Sequence, residues 1–300
     1  MARFEHTVSV AALDRGWFEE AAGHVVDLFE ASREQGGALL LPDGRPIDGL
    51  RLLKGRHLQP GAEYGETPDP VKDETGAPET AVLREWRPSR AIEVESLVAE
   101  EGMSMRVRVR LREPRTPRAL ELSLDGHNPK GGSLYRFSGR GKADLHAWWA
   151  ALDRPAAAPP APRAPVVGKA VHRLAKARLT VTPHPAGDGS WHVRAVLGVR
   201  GRWLLRPVGA VVLFFARGPV ARGFREAVES AAEEWNTALA ELTPLHGEAL
   251  RAEIADALTE PPERPEPSEP PERPEPSEPP ERPEPSEPPE RPEPEEPKVL

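Results

Sequence analysis

MSMRVRVRLR, residues 103–112, is the stretch that decides the fold, because five apolar residues alternate in it with polar and basic ones. A period of two places the two sets on opposite faces of a strand. Residues 92–98 before this stretch and residues 120–125 after it alternate in the same way. The three runs predict an antiparallel meander with one apolar face and one charged face.

The four arginines at 106, 108, 110 and 112 are a candidate anion-binding row, since alternate side chains on a strand lie about 6.8 Å apart. Acidic residues, however, flank the row on the same predicted face: Glu93, Glu95, Glu121 and Asp125. Cross-strand ion pairs therefore explain the row better than a phosphate ligand does. The tail from residue 260 carries 14 of the chain's 48 acidic and 5 of its 40 basic side chains, so residues 1–259 are almost neutral. We predict no nucleic-acid partner.

Further elements are predicted on both sides of the meander. Residues Phe4 to Val10 alternate as a strand, and apolar residues at helical spacing predict a helix from Asp14 to Gln35 that ends at Gly36. The composition of residues 60–80, rich in Pro, Gly, Asp and Glu, predicts a loop. A short helix is predicted from Lys142 to Leu152.

The second part of the chain predicts a hairpin and long helices. The hairpin has strands at 176–182 and 191–199, and an amphipathic helix follows from Pro219 to Leu242. A last helix contains Leu250, Ile254 and Leu258. We predict an α+β lobe at 1–152, an alanine- and proline-rich linker or insertion at 153–167, and a segment at 168–258 that forms a second lobe or completes one domain with the first.

The tail at 259–300 repeats a nine-residue unit in which glutamate recurs at every third position from Glu260 to Glu296. Polyproline II has three residues per turn, so these glutamates share one face of the extended form. With almost no apolar side chains, the tail is predicted to be disordered. It serves either as a repelling, extended spacer or as a docking array for a protein partner, because Arg-x-x-Pro-x-x-Pro recurs four times.

No residue pattern in the sequence indicates a reaction, a metal site or a cofactor. The chain has no cysteine, its histidines lack metal-ligand spacing, and there is no nucleophile elbow. The loop Gly126 to Ser133 has its lysine in the wrong place for a phosphate-binding loop. We therefore predict no catalytic residue, no metal and no cofactor, and lean toward a protein that is not an enzyme.

The predicted location is the cytoplasm, because the start of the chain lacks a secretion signal. The longest apolar run, Val208 to Ala216, is about half of the ~20 residues that a membrane-spanning helix needs. We predict no transmembrane segment, while this run is suited to contact with a membrane surface or a partner.

The order of elements resembles the SRPBCC, or START-like helix-grip, superfamily. The opening strand Phe4 to Val10, the hairpin Leu179 to Arg200 and the closing helix Pro219 to Leu242 carry the resemblance. It implies an antiparallel sheet packed on a long C-terminal helix, with a cavity between them for an apolar small molecule or lipid. The wall residues it implies are Trp191, Val193, Phe224, Val228 and Trp235.

Three hypotheses for function follow. The first is a non-catalytic protein that binds a hydrophobic small molecule or lipid and carries an acidic proline-rich tail. The second is an interaction or scaffold protein that uses the tail and an apolar surface. The third, which rests on the family resemblance alone, is a cyclase-like enzyme.

Overall fold

The computed structural model describes residues 2–65, 80–100, 103–128, 135–154, 163–187, 189–201 and 217–259. These residues belong to one compact unit, Met1–Pro261. Their main feature is an antiparallel sheet, in which the described ranges contribute thirteen strands. The strands are β1 (Ala2–Ala11), β2 (Arg33–Gln35), β3 (Ala38–Leu40), β4 (Pro46–Lys54), β5 (Glu63–Gly65), β6 (Thr80–Arg87), β7 (Ala91–Glu100), β8 (Met103–Arg112), β9 (Ala119–His127), β10 (Phe137–Asp144), β11 (Val166–His172), β12 (Ala175–Pro185) and β13 (Ser190–Gly201).

The sheet is a long meander. From β2 to β13 every strand pairs with its successor in the chain, and β1 pairs antiparallel with β13. β1 and β2 therefore lie at opposite edges of the sheet, and the helix between them in the chain connects the two edges. The described part of the chain holds four helices: α1 (Arg15–Ala31), α2 (Leu145–Leu152), α3 (Arg217–Leu242) and α4 (Gly247–Thr259).

Two helix termini correct the sequence predictions. In α1, Asp14 is the N-cap and accepts a hydrogen bond from the backbone N–H of Trp17 at 2.8 Å. The helix ends at Ala31 rather than Gln35, because residues 33–35 form β2 and pair with β3 across two glycines with positive φ, Gly36 and Gly37. In α2, residues 142–144 belong to β10, so the helix starts at Leu145 with Asp144 as its N-cap.

The coarse fold class, a large antiparallel sheet with helices, is confirmed. The predicted meander corresponds to β7–β9, the hairpin to β12 and β13, and the two C-terminal helices to α3 and α4. Within the predicted loop at 60–80, residues 63–65 are instead the short strand β5, which pairs with β4 and β6. The strand β11 begins at Val166, so the sheet resumes inside the segment predicted as linker or insertion.

Two apolar clusters lie at the two ends of the sheet. One surrounds the fully buried Leu39 and Leu41 and includes residues of α1 and α4. The other surrounds Trp17, Trp191 and Leu250 and joins β1, β13, α1, α3 and α4. The long C-terminal helix α3 thus packs on the β1 end of the sheet.

The arginines of β8 are neutralised, as predicted. Arg108 lies 2.5 Å from Glu95 and 3.4 Å from Glu93, and Arg112 lies 2.9 Å from Glu121. Arg110 lies 2.9 Å from Glu85, a residue of β6 that the sequence argument did not include. We call the face of the sheet that carries these side chains the outer face. Over strands β6 to β9 it is covered by a lattice of ion pairs.

Several sequence predictions fall outside the described residues. These concern most of the loop at 60–80, the end of the loop at 126–133, the alanine- and proline-rich segment, the apolar run at 208–216 and the tail. None of the described helices is both long and apolar enough to cross a membrane.

Candidate functional site

The long helix α3 is fastened to the edge strand β1 by side chains that bond to the strand's backbone. Asn236 accepts a hydrogen bond from the backbone N–H of Ala11 at 2.7 Å, and Trp235 Nε1 donates to the carbonyl oxygen of Ala11 at 3.0 Å. An edge strand presents free backbone groups that need partners. The two side chains satisfy such groups and fix how α3 lies over the sheet.

One stripe of α3 faces the sheet. Phe224, Val228, Ala231 and Trp235 follow one another at intervals of four, three and four residues, which places them on one side of a helix. The sheet presents Trp191, Val193 and Ala195 of β13 at alternate positions, so these side chains share one face of the strand.

The register of the neighbouring strands extends this apolar surface. Val193 pairs with Val8 of β1, and Trp191 pairs with Val10. On the other side, Ala195 pairs with Val181 of β12. Three adjacent strands therefore turn apolar side chains to the same side, below α3.

A cleft of about 410 Å³ lies between this surface and α3. Every one of its lining residues is apolar or aromatic, and none carries a charge or a titratable group. They are Val8, Val10, Trp148, Leu179, Val181, Trp191, Val193, Ala195, Phe224, Ala227, Val228, Ala231, Ala232 and Trp235.

Tryptophans form one wall of the cleft. Trp191 is buried, and its ring lies 6.0 Å from the ring of Trp148, 5.6 Å from that of Trp149 and 6.5 Å from that of Trp235. Such tilted and edge-on arrangements are favoured between aromatic rings. Since the indole N–H of Trp235 is bonded to Ala11, this ring offers the cleft its apolar surface.

All five residues implied by the resemblance line this one cleft: Trp191, Val193, Phe224, Val228 and Trp235. Sequence reasoning missed Trp148 of α2, Leu179 and Val181 of β12, and Val8 and Val10 of β1. Each lies in an element that the sequence predicts, but no local pattern shows which of these elements meet. Whether these residues bind a ligand stays a prediction.

A second constellation, Ser32, His57 and Tyr64, has the residue types of a hydrolase site but the hydrogen bonds of a structural network. The Ser32 hydroxyl donates to the carbonyl oxygen of Phe29 at 2.7 Å and lies 2.9 Å from His57 Nε2. His57 Nδ1 lies 3.1 Å from the Tyr64 hydroxyl, which accepts from the Leu58 backbone N–H.

The proton positions follow from this network. With the Ser32 hydroxyl donating to Phe29, the N–H of His57 points at Ser32, so the imidazole does not accept the serine proton in this arrangement. Burial also lowers the pKa of His57. The cluster closes the C-terminus of α1 and is not a nucleophilic site.

The described residues contain no group of three or more His, Asp or Glu side chains that could hold a metal ion. Neither the protein families nor the curated proteins searched contain a match to the chain. Among solved structures, the crystal structure of the di-domain ARO/CYC StfQ from the steffimycin biosynthetic pathway aligns with it at 12% sequence identity. The alignment covers 84% of this chain and 99% of that one, with a TM-score of 0.19.

Proposed function

We propose that this protein binds a hydrophobic small molecule or lipid in the cleft between α3 and strands β1, β12 and β13. The observation that carries the proposal is the lining, which consists of apolar and aromatic side chains alone. The volume of about 410 Å³ falls within the ~300–1,000 Å³ typical of small-molecule sites.

The chemistry of the lining restricts the ligand. A polar group in this cleft would lose its water without gaining a hydrogen bond from a lining side chain, which costs about 1–3 kcal/mol. The buried part of the ligand is therefore hydrocarbon or aromatic, and any polar head faces solvent. A fatty acyl chain has this form.

Binding is proposed without a reaction. General acid–base or nucleophilic catalysis needs a titratable or nucleophilic side chain within hydrogen-bond reach of the substrate. No lining residue provides one.

The finer architecture belongs to the same proposal. We infer a helix-grip-like arrangement, supported by the position of α3 along β1 and over the apolar face of β13. We also infer one domain with an insertion, because β10 and β11 pair directly on either side of the alanine- and proline-rich segment. The scaffold and cyclase hypotheses stay predictions.

Native mass spectrometry of the full chain tests the proposal. The gently purified protein, incubated with stearic acid, should carry one molecule per chain. The variant Ala231→Phe, which places a ring in the cleft, should carry none. Its matched control is Ala240→Phe, because Ala240 is exposed and lies nine residues further along α3, on the opposite side of the helix. An adduct retained equally by both variants would place the ligand elsewhere.

A further inference from the structure

The outer face of the sheet changes its electrostatic character between β9 and β10. On β8 every arginine lies within 4 Å of a carboxylate, including Arg106, which is 3.9 Å from Glu95. On β10 to β13, all residues of which the structure describes, the outer face presents one acid, Asp144, which pairs with Lys142. The other charged side chains on that face are Arg140, Lys169, Lys176, Arg178, Arg194 and Arg200, of which Arg194 pairs with Glu5 of β1.

Three of these cations lie directly opposite one another on successive strands. Arg140 of β10 pairs in register with Lys169 of β11, which pairs with Arg178 of β12. All three are exposed, and none forms an ion pair with any residue in the described ranges. Like charges directly opposite on a sheet are destabilising. The arrangement is therefore unfavourable until an anion occupies it.

The register extends these cations into a longer row. Arg140 pairs with Ser123 and Ser123 with Arg108, while at the other end Arg178 pairs with Gly198 and Gly198 with Arg3. We call the seven residues the basic row: Arg108, Ser123, Arg140, Lys169, Arg178, Gly198 and Arg3. Arginine recurs in it on every second strand. Arg140 and Arg178 have no ion-pair partner in the described ranges, whereas at the ends of the row Arg108 pairs with Glu93 and Glu95 and Arg3 pairs with Glu5.

Surface hollows lie at the two small residues of the basic row. One of about 350 Å³ is lined by Ser123 with Arg108, Arg140 and Lys142, and also by Glu93 and Glu121, which pair with arginines of β8. Another of about 340 Å³ is lined by Gly198 together with Arg178 and Arg3. A chain that crosses the strands along the row thus has room between successive arginines.

The spacing of the arginines selects the ligand. Neighbouring strands are about 4.8 Å apart, so arginines on every second strand recur every ~9.6 Å. A polyproline II chain rises about 3.1 Å per residue, so glutamates at every third position recur every ~9.3 Å on one side. The two repeats differ by only a few tenths of an ångström per step.

We propose that the basic row binds an extended acidic peptide in which a carboxylate recurs at every third residue. The sheet twists by about 20–25° per strand, so a straight peptide stays aligned with the basic row over only a few neighbouring strands. Arg140, Lys169 and Arg178 lie at the centre of this contact. Single-stranded nucleic acid is the less suitable polyanion, because its binding sites stack bases on aromatic side chains. The basic row contains no aromatic residue.

The test uses the full chain and a fluorescent 27-residue peptide with the sequence of residues 260–286, which has the required glutamate period. A second peptide has the same composition but groups its glutamates. Exposed ion pairs change an equilibrium constant by up to about fivefold each. We expect the periodic peptide to bind at least about fivefold more tightly than the grouped one, and more weakly as salt is added.

Charge-reversal variants identify the surface. Lys169→Glu with Arg178→Glu should lower affinity for the periodic peptide at least about tenfold, since two attractions become repulsions. Arg222→Glu, an exposed cation of α3, should leave it unchanged. The neutral variant Arg178→Gln should act in the same direction with a smaller effect, and melting curves verify folding. Equal binding of the two peptides, wild-type binding by the double variant, or tighter binding of a 20-nucleotide single-stranded DNA at the same residues would overturn the proposal.

Discussion

Glu95 lies at the centre of the ion-pair lattice, and its replacement by glutamine tests how that lattice stabilises the sheet. Its side chain is only 5% exposed. One carboxylate oxygen accepts a hydrogen bond from Arg84 at 2.6 Å, and the other accepts two from Arg108, at 2.5 and 3.1 Å. A glutamine of the same shape keeps one acceptor but turns an NH2 group toward a second guanidinium.

The expected loss is about 2 kcal/mol of unfolding free energy. Hydrogen bonds to charged groups contribute about 1.5–3 kcal/mol each, and the substitution disrupts the bonding to one of the two arginines. Loss of a partner from a fully buried ion pair costs about 3–5 kcal/mol. Here, however, Arg84 and Arg108 are 45% and 48% exposed and regain water. A domain of this size should melt about 4–8 °C lower.

The pH dependence provides an independent measure. Hydrogen bonds from Arg108 and Arg84 lower the pKa of Glu95 from its ordinary 4.5 to about 2. Because the folded-state pKa is the lower one, the contribution of Glu95 is complete above about pH 4.5 and is lost as the pH falls toward 2. The difference between wild type and Glu95→Gln should shrink over this range.

Urea unfolding at pH 7, with melting curves from pH 2 to 7, is the assay. Glu5→Gln is the matched control, because Glu5 also has two arginine partners, Arg194 at 2.7 Å and Arg3 at 3.2 Å, but is exposed. Its replacement should have a much smaller effect. Equal losses from the two variants, or a loss below about 0.5 kcal/mol for Glu95→Gln, would refute the argument from burial.

Three further predictions concern single contacts. Asp14→Ala removes the N-cap of α1 and should cost about 1 kcal/mol of unfolding free energy in urea, whereas Asp14→Ser should restore most of it. Asn236→Ala leaves the Ala11 N–H unpaired and should cost about 1–2 kcal/mol of unfolding free energy; unchanged stability together with unchanged ligand affinity would show that α3 is positioned by other contacts. Burial lowers the pKa of His57, so the unfolded state binds more protons, and the melting temperature should fall as the pH drops below about 6.5; the same slope in His57→Gln would assign this pH dependence to other groups.

Sequence periodicity predicted β1, β7 to β9, β12, β13 and the four helices, but not the strands β4, β6, β10 and β11. The alternation in residues 103–112 predicts the strand β8 and its two faces. The acidic residues predicted on the same face of β7 and β9 include the observed ion-pair partners Glu93, Glu95 and Glu121. Glu85 was missed because its strand, β6 (Thr80–Arg87), mixes apolar and charged residues without strict alternation. The short strands β2, β3 and β5 have three residues each, too few to show a period.

The candidate site was predictable only in part, for a related reason. The α3 stripe and the β13 alternation are local patterns, and these supplied Phe224, Val228, Trp235, Trp191 and Val193. The partners on β1, β12 and α2 depend on which strands pair and where the short helix packs. These contacts join residues far apart in the chain, and no local spacing encodes them.

The most direct test of the central claim is titration of the full chain with brominated stearic acid while tryptophan fluorescence is recorded. Bromine quenches a tryptophan that it contacts, and three of the seven tryptophans, Trp148, Trp191 and Trp235, line the cleft. The account predicts partial, saturable quenching at one molecule per chain, which Ala231→Phe abolishes and Ala240→Phe retains. Quenching that does not saturate, or that persists unchanged in Ala231→Phe, would contradict it.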